Sequence, residues 1–161
     1  MKRLFIAFLI TLVLGVGIYF ITTLIGNKEE TTPVIKEGIT YEFDDSYSEN
    51  VTIDALSENI NNEEEVIILI GKKEEDPTKK VSAILGELEM QDTNIYYLER
   101  QDNISESLSY QNLLASYPEL NNYMNFTPVI LVFRNREFIG GLPGEVEKKN
   151  ITQFLEYTEV I

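Results

Sequence analysis

The side chains of this chain that could do chemistry are carboxylates, amines and hydroxyls, because its 161 residues include no cysteine and no histidine. Without cysteine there is no disulfide, no thiolate ligand and no cysteine nucleophile. Without histidine, the commonest general base and the commonest transition-metal ligand are absent too. No spacing of the carboxylates singles out a catalytic pair or a metal site. We therefore expect no catalytic residues, no bound metal and no cofactor, and we predict that the protein is not an enzyme.

The segment Asp76-Pro77-Thr78-Lys79 has the most distinctive local pattern. Aspartate is a favoured N-cap, and proline suits the first helical position because its missing N–H would have no partner there. A basic island surrounds the segment, formed by Lys72, Lys73, Lys79 and Lys80. Lysines beside a helix N-terminus could bind a carboxylate or a phosphate, and a solvated charged loop is the alternative interpretation.

The charge balance of the chain excludes some classes of partner. The net charge is −14, from 27 acidic and 13 basic residues. Nucleic acid is an unsuitable partner, because its phosphates would repel most of this surface. An anionic lipid surface is unsuitable for the same reason. The excess acid either keeps an exported domain soluble or forms a docking face for a basic partner.

The elements that must position these residues follow the order β-α-β-α-β-α-β-β-α. Alternation of apolar and polar residues predicts the first strand, and continuous apolar runs predict buried strands. The predicted strands are 39–43, 66–70, 94–98, 128–133 and 137–140, with a tight turn at Asn135-Arg136. Amphipathic helices occupy the intervals and the carboxyl-terminal segment. Strands that alternate with helices imply parallel crossovers, whereas the late hairpin is antiparallel. The prediction is an α/β fold with a mixed sheet flanked by helices.

The run from Thr127 to Gly144, Thr-Pro-Val-Ile-Leu-Val-Phe-Arg-Asn-Arg-Glu-Phe-Ile-Gly-Gly-Leu-Pro-Gly, resembles a thioredoxin segment. In that family Thr-Pro precedes an apolar strand, a turn, a second strand and glycine. With the order of elements, the resemblance covers residues 39–158 and implies a thioredoxin-like fold. It also implies that Pro128 is the family's cis-proline and faces the active-site loop.

The same resemblance places the Cys-x-x-Cys motif of thioredoxins at residues 76–79, where both thiols are absent. Thiol–disulfide exchange needs a thiolate nucleophile and a resolving thiol, and neither aspartate nor lysine can replace them. The buried acid of many thioredoxins would fall near Ile70, which cannot transfer a proton. The resemblance therefore implies a fold that has lost its redox chemistry.

An apolar run at residues 4–26 contains no charged residue and follows Lys2 and Arg3. As a helix it would reach ~34 Å, enough for a bilayer core of roughly 30 Å. It is longer than the apolar region of a cleaved signal peptide, and no Ala-x-Ala site ends it. We predict a cytoplasmic segment 1–3, a transmembrane signal anchor 4–26, a linker 27–38 and an extracytoplasmic domain 39–161. The protein would then be a single-pass protein of the cell membrane.

Two hypotheses for function follow. Among thioredoxin-like proteins, this chain resembles the short, membrane-anchored kind of Gram-positive bacteria, one group of which is the bacteriocin transport accessory proteins. The first hypothesis is a binding module in which Thr127 and Pro128 form a docking edge opposite Asp76, Pro77, Thr78 and Lys79. Its partner would be an exported peptide or a protein of a membrane complex. The alternative is a structural accessory subunit of a membrane export or bacteriocin transport complex, with the anchor as its main contact.

Overall fold

The computed structural model describes residues 40–88, 90 and 93–161, and Thr40–Ile161 form one compact unit. The predicted anchor 4–26 and linker 27–38 lie outside the described residues. Within the described part of the chain, no helix is both long and apolar enough to span a bilayer.

The described residues contain five strands and four α-helices in the predicted order. The strands are β1 (Glu49–Val51), β2 (Glu65–Gly71), β3 (Asn94–Glu99), β4 (Val129–Arg134) and β5 (Glu137–Pro143). The helices are α1 (Ile53–Asn62), α2 (Asp76–Glu87), α3 (Leu108–Ser116) and α4 (Lys148–Tyr157). Two short 3-10 helices, Ile104–Glu106 and Pro118–Asn122, flank α3.

The strands form one mixed sheet with the spatial order β1-β3-β2-β4-β5. Strand β3 is parallel to both of its neighbours, β1 and β2. Strand β4 is antiparallel to β2 and to β5, as the predicted hairpin requires. Strand β2 is therefore central, and its carboxyl end at Gly71 lies beside the start of β4.

Two apolar layers cover the sheet, one on each face, because successive residues of a strand point to opposite faces. On one face Ile68 of β2 packs in a cluster with residues of α1 and α3, including Leu56 and Leu113. On the other face Leu69 belongs to a cluster that includes Leu85 of α2 and Leu155 of α4. Strand β2 is buried on both sides, which explains why its sequence is continuously apolar rather than alternating.

The predicted first strand is wrong for the described residues 40–43, which lie outside the sheet. This segment instead crosses α2, where the Asp44 N–H donates to Ser82 Oγ at 3.0 Å and Ser82 Oγ donates to the Asp44 carbonyl at 2.7 Å. The Phe43 ring packs on Tyr97 with centroids 4.6 Å apart. The alternation of apolar and polar residues thus belongs to an extended segment that packs across α2 and half-buries Phe43. The edge strand of the sheet is β1 instead.

Two helix ends have an identifiable local cause. The helix that starts after β1 begins at Ile53, because Thr52 is its N-cap and accepts a hydrogen bond from the Ala55 N–H. Helix α3 ends at Ser116, and a separate 3-10 helix begins at Pro118. Proline cannot donate the backbone hydrogen bond that a continuous helix needs at this position.

The two-layer core predicts a large difference between two leucine-to-alanine substitutions. Leu69 is 0% exposed in the central strand, whereas Leu108 is 71% exposed at the start of α3. Leu69→Ala should lower the free energy of unfolding by about 2–5 kcal/mol, because it removes buried methyl groups and leaves a cavity. Leu108→Ala should change it by at most about 0.5 kcal/mol. Urea unfolding of the full-length variants measures both values, and equal effects would contradict the proposed core.

Candidate functional site

The candidate site lies where the central strand β2 ends beside the start of β4. Ile70 pairs with Val129 in the antiparallel ladder, so Gly71 and Pro128 lie at the same end of the two strands. The peptide bond between Thr127 and Pro128 is cis, the isomer that the resemblance implies. Pro128 is buried and Thr127 is half-buried. The pairing therefore places Pro128 beside the end of β2, from which the loop to α2 starts.

The first residue of α2 differs by one position from the prediction. The N-cap is Glu75 rather than Asp76, because the Lys79 N–H donates to the Glu75 carbonyl at 3.1 Å. Asp76 is the first helical residue, and its carboxylate lies 3.3 Å from Lys79 Nζ. Pro77 remains in the first turn, where a missing N–H has no consequence.

The four predicted loop residues differ in how far a partner could reach them. The Asp76 side chain is 91% exposed, and Pro77 and Lys79 are half-buried. Thr78 is 0% exposed, and its Oγ1 forms no hydrogen bond with any described residue. A Cβ on Gly71 would lie 2.6 Å from Thr78 Cγ2, so glycine permits this close approach. Thr78 therefore packs against Gly71 in the interior, and the other three residues form the side of the loop that a partner could reach.

The basic island is neutralised by carboxylates. Lys72 and Lys73 contact Asp102 at 2.6 Å and Asp45 at 3.0 Å, and Lys79 contacts Asp76. Lys80 bridges two acids, Glu145 at 2.9 Å and Glu147 at 2.8 Å. The hydrogen bond from Lys72 holds the pKa of the Asp102 carboxyl below its ordinary value. These pairs favour a solvated charged loop over a vacant anion site.

A buried tyrosine fixes the base of the loop. The Tyr97 hydroxyl donates to the Gly71 carbonyl at 3.0 Å and also contacts the Glu99 carboxylate. The same carboxylate accepts a hydrogen bond from the Lys73 N–H at 3.3 Å. Tyr97 and Glu99 thus connect strand β3 to Gly71 and Lys73 at the start of the loop.

The predicted docking edge, Thr127 and Pro128, includes backbone groups without a hydrogen-bond partner among the described residues. Within the described part of the chain, neither the N–H nor the C=O of Thr127 forms a hydrogen bond. On the following residue, the Pro128 carbonyl accepts a hydrogen bond from the Gly144 N–H at 2.7 Å. The side chain that precedes the edge, Phe126, is 47% exposed. A donor, an acceptor and an exposed aromatic ring are therefore adjacent on one short segment.

Three residues of this site were missed by the sequence analysis, namely Tyr97, Arg100 and Phe126. Tyr97 lies in a predicted strand and Arg100 follows it, at the edge where parallel strands β2 and β3 both end. Ligands of α/β sheets bind at the carboxyl ends of strands, so the positions of Tyr97 and Arg100 could have indicated that they belong to this site. Phe126 has no comparable pattern, because only its exposure in the folded chain distinguishes it from core aromatic residues.

Comparison with solved structures shows the fold. Mitochondrial thioredoxin 3 from Saccharomyces cerevisiae matches with a TM-score of 0.51 and 12% identity, over 68% of this chain and 93% of that chain. Thioredoxin f2 from Chlamydomonas reinhardtii matches with a TM-score of 0.51 and 15% identity, over 68% and 95%. Oxidised thioredoxin from Plasmodium falciparum matches with a TM-score of 0.51 and 17% identity, over 68% and 95%. No protein-family model and no curated protein sequence matches this chain.

These similarities confirm the predicted thioredoxin-like α/β fold with its mixed five-stranded sheet and flanking helices. They concern the fold alone, since the identities are below 20%. The described domain therefore has a thioredoxin-like fold, and because the chain contains no cysteine it cannot perform thiol–disulfide exchange. The membrane anchor and the likeness to bacteriocin transport accessory proteins stay predictions.

The buried Tyr97 predicts a loss of stability at alkaline pH. Burial, together with the hydrogen bond to Glu99 and the nearby Glu74 carboxylate, raises the pKa of the Tyr97 phenol above its ordinary value. In the unfolded chain a tyrosine ionises near pH ~10. The stabilisation is therefore complete below about pH 10 and decreases as the pH rises further, because only the unfolded state releases the proton.

Tyr97→Phe should reduce stability at pH 7, because the hydrogen bond to Gly71 is lost, and should weaken the decline above about pH 10. Urea unfolding of the full-length chain between pH 7 and pH 11 measures both effects. Tyr157→Phe is the matched control, because Tyr157 is 83% exposed and its substitution should leave both values unchanged. An alkaline decline that is equally steep in Tyr97→Phe and the wild type would contradict this role of Tyr97.

Proposed function

We propose that the protein is a redox-inactive, membrane-anchored thioredoxin-like module that binds an extended peptide segment at the Thr127–Pro128 edge. The observation that carries this proposal is the unpaired backbone of Thr127, whose N–H and C=O make no hydrogen bond with the other described residues. An extended peptide can satisfy both groups as an added strand does. This mode of binding needs no sulfur, so it is compatible with the missing cysteines.

The surroundings of the edge support binding by a pre-formed surface. Tyr97 and Glu99 hold the facing loop at Gly71 and Lys73. The Pro128 carbonyl is bound to Gly144. A surface that is already ordered loses little conformational entropy when it binds, which favours affinity.

The charges around the edge favour a basic peptide over an acidic one. The four lysines of the loop already contact carboxylates. Glu74 is exposed, and so is most of the Asp76 side chain. The net charge of −14 adds a long-range attraction for cationic segments. The proposed partner is therefore an exported polypeptide segment that is extended and positively charged.

Removal of the exposed aromatic ring beside the edge should weaken peptide binding. The probe is a fluorescein-labelled nonapeptide of alternating valine and lysine, and its affinity for the full-length chain is measured by fluorescence anisotropy. Phe126→Ala should weaken binding about tenfold, or ~1.4 kcal/mol, because exposed aromatic residues are frequent anchors of interfaces.

Tyr157→Ala is the matched control for this experiment, because Tyr157 is also an exposed aromatic residue, with 83% of it accessible. It lies at the end of α4, and its neighbour Thr158 contacts Arg134 at the end of β4 that is away from Thr127. A second control is the same peptide with N-methylated amides along one edge, which cannot pair with the Thr127 carbonyl. Equal weakening by Phe126→Ala and Tyr157→Ala, or equal binding of the methylated peptide, would contradict docking at this edge.

The proposed anchor at residues 4–26 has a separate test. The full-length chain should stay with the membrane fraction after alkaline carbonate extraction, because the apolar run is long enough to span a bilayer. Deletion of residues 4–26 should release the protein into the soluble fraction. Protease added outside intact cells should digest the domain, as expected when Lys2 and Arg3 stay in the cytoplasm.

Replacement of residues 4–26 by an unrelated apolar span separates the two functional hypotheses. A module that acts through Thr127 and Pro128 keeps its activity after this exchange, because its binding surface is unchanged. An accessory subunit that acts through its anchor loses its activity after the same exchange. Extraction of the wild-type chain by carbonate would contradict the anchor itself.

A further inference from the structure

Arg100 is positioned to control the docking edge without belonging to it. It follows the last residue of β3, Glu99, which is paired with Gly71. The Arg100 N–H donates to the Gly71 carbonyl at 2.8 Å, so its backbone extends the β2–β3 ladder by one bond. Its main chain is therefore fixed to the base of the facing loop.

The Arg100 side chain reaches the turn that precedes Thr127. Its Nη1 donates to the Met124 carbonyl at 2.5 Å and to the Phe126 carbonyl at 3.0 Å. The backbone N–H groups of the same two residues are bound within the turn, to the Leu120 and Tyr123 carbonyls at 2.9 and 3.0 Å. The N–H groups of Met124 and Phe126 are thus satisfied within the turn, and their carbonyls are satisfied by one guanidinium group.

The bond to Phe126 determines the direction of the next N–H. The Phe126 C=O and the Thr127 N–H belong to one planar peptide unit, in which they point in opposite directions. Because Arg100 holds the carbonyl, the Thr127 N–H points away from the guanidinium group and stays unpaired among the described residues. A charged donor on the carbonyl also polarises the amide, which strengthens its N–H as a donor.

We infer that Arg100 is the positioning residue of the peptide-docking edge, which it orients and activates through the Phe126–Thr127 peptide unit. This inference rests on the proposed function, because it concerns the affinity of the same edge. Arg100 itself acts through the backbone and contacts no part of the bound peptide.

The test compares three variants of the full-length chain. Arg100→Met removes every donor and keeps an apolar stem, and Arg100→Lys restores one charged donor. Arg136→Met is the matched control, because Arg136 Nε also donates to a backbone carbonyl, that of Asn61 at 2.9 Å. It lies in the β4–β5 turn, at the end of β4 away from Thr127. A merely structural role predicts similar losses of affinity for both methionine variants.

We expect Arg100→Met to bind the valine-lysine nonapeptide about tenfold more weakly than the wild type, Arg100→Lys about threefold more weakly, and Arg136→Met within twofold. The ¹⁵N resonance of Thr127 should move in Arg100→Met and stay in place in Arg136→Met, because a bond to the Phe126 carbonyl polarises the Thr127 amide. Circular dichroism shows whether Arg100→Met is folded. If its spectrum differs from that of the wild type, Arg100→Lys is compared with the wild type instead.

Two results would overturn the inference. One is an unchanged Thr127 resonance in the folded Arg100 variant, and the other is an affinity loss no larger than that of Arg136→Met. The resonance is measured without peptide, so it tests Arg100 even if the wild type fails to bind the nonapeptide. That failure would contradict the proposed function and leave the orientation of the Thr127 amide as a property of the fold.

Discussion

The carboxyl end of strand β2 at Gly71 is the constraint on which the rest of this site depends. On one side the strand pairs with β3, and on the other Ile70 pairs with Val129 at the start of β4. The Gly71 carbonyl accepts hydrogen bonds from the Arg100 N–H and from the Tyr97 hydroxyl. Its missing Cβ lets Thr78 pack directly on the strand. One residue thereby fixes the loop, the first turn of α2 and their neighbour, the Thr127 segment.

The absence of cysteine excludes thiol–disulfide exchange without affecting backbone groups that could bind a partner. The chain has a helix that starts at Asp76 and a cis peptide bond between Thr127 and Pro128. Exchange chemistry requires thiols, whereas strand addition requires only unpaired backbone groups. Hydrogen bonds from Tyr97, Arg100 and Gly144 hold the surrounding backbone. Those bonds connect the loop and the Thr127 segment to strands β3 and β5 of the sheet.

Much of the fold was predictable from the sequence, because buried parallel strands and amphipathic helices leave strong periodic patterns. The continuous apolar run of β2 correctly predicted a buried strand, and the Thr127–Gly144 segment correctly predicted the antiparallel hairpin. The first strand was not predictable, since the alternation before Phe43 serves an extended segment on α2 as well as it would serve a strand. The role of Arg100 was not predictable either, because it depends on the Met124 and Phe126 carbonyls. They are about 25 residues away in sequence, and only folding brings them within reach of the guanidinium group.

Amide hydrogen exchange at Thr127 measures whether the unpaired backbone edge is open in the free chain and pairs with an extended peptide. In the free full-length chain the Thr127 N–H should exchange rapidly, whereas amides of β4 such as that of Leu131 should be protected by the ladder. Saturation with the valine-lysine nonapeptide should slow Thr127 exchange at least about tenfold and leave Leu131 unchanged. Protection of Thr127 in the free chain, or its continued rapid exchange in the complex, would contradict the account.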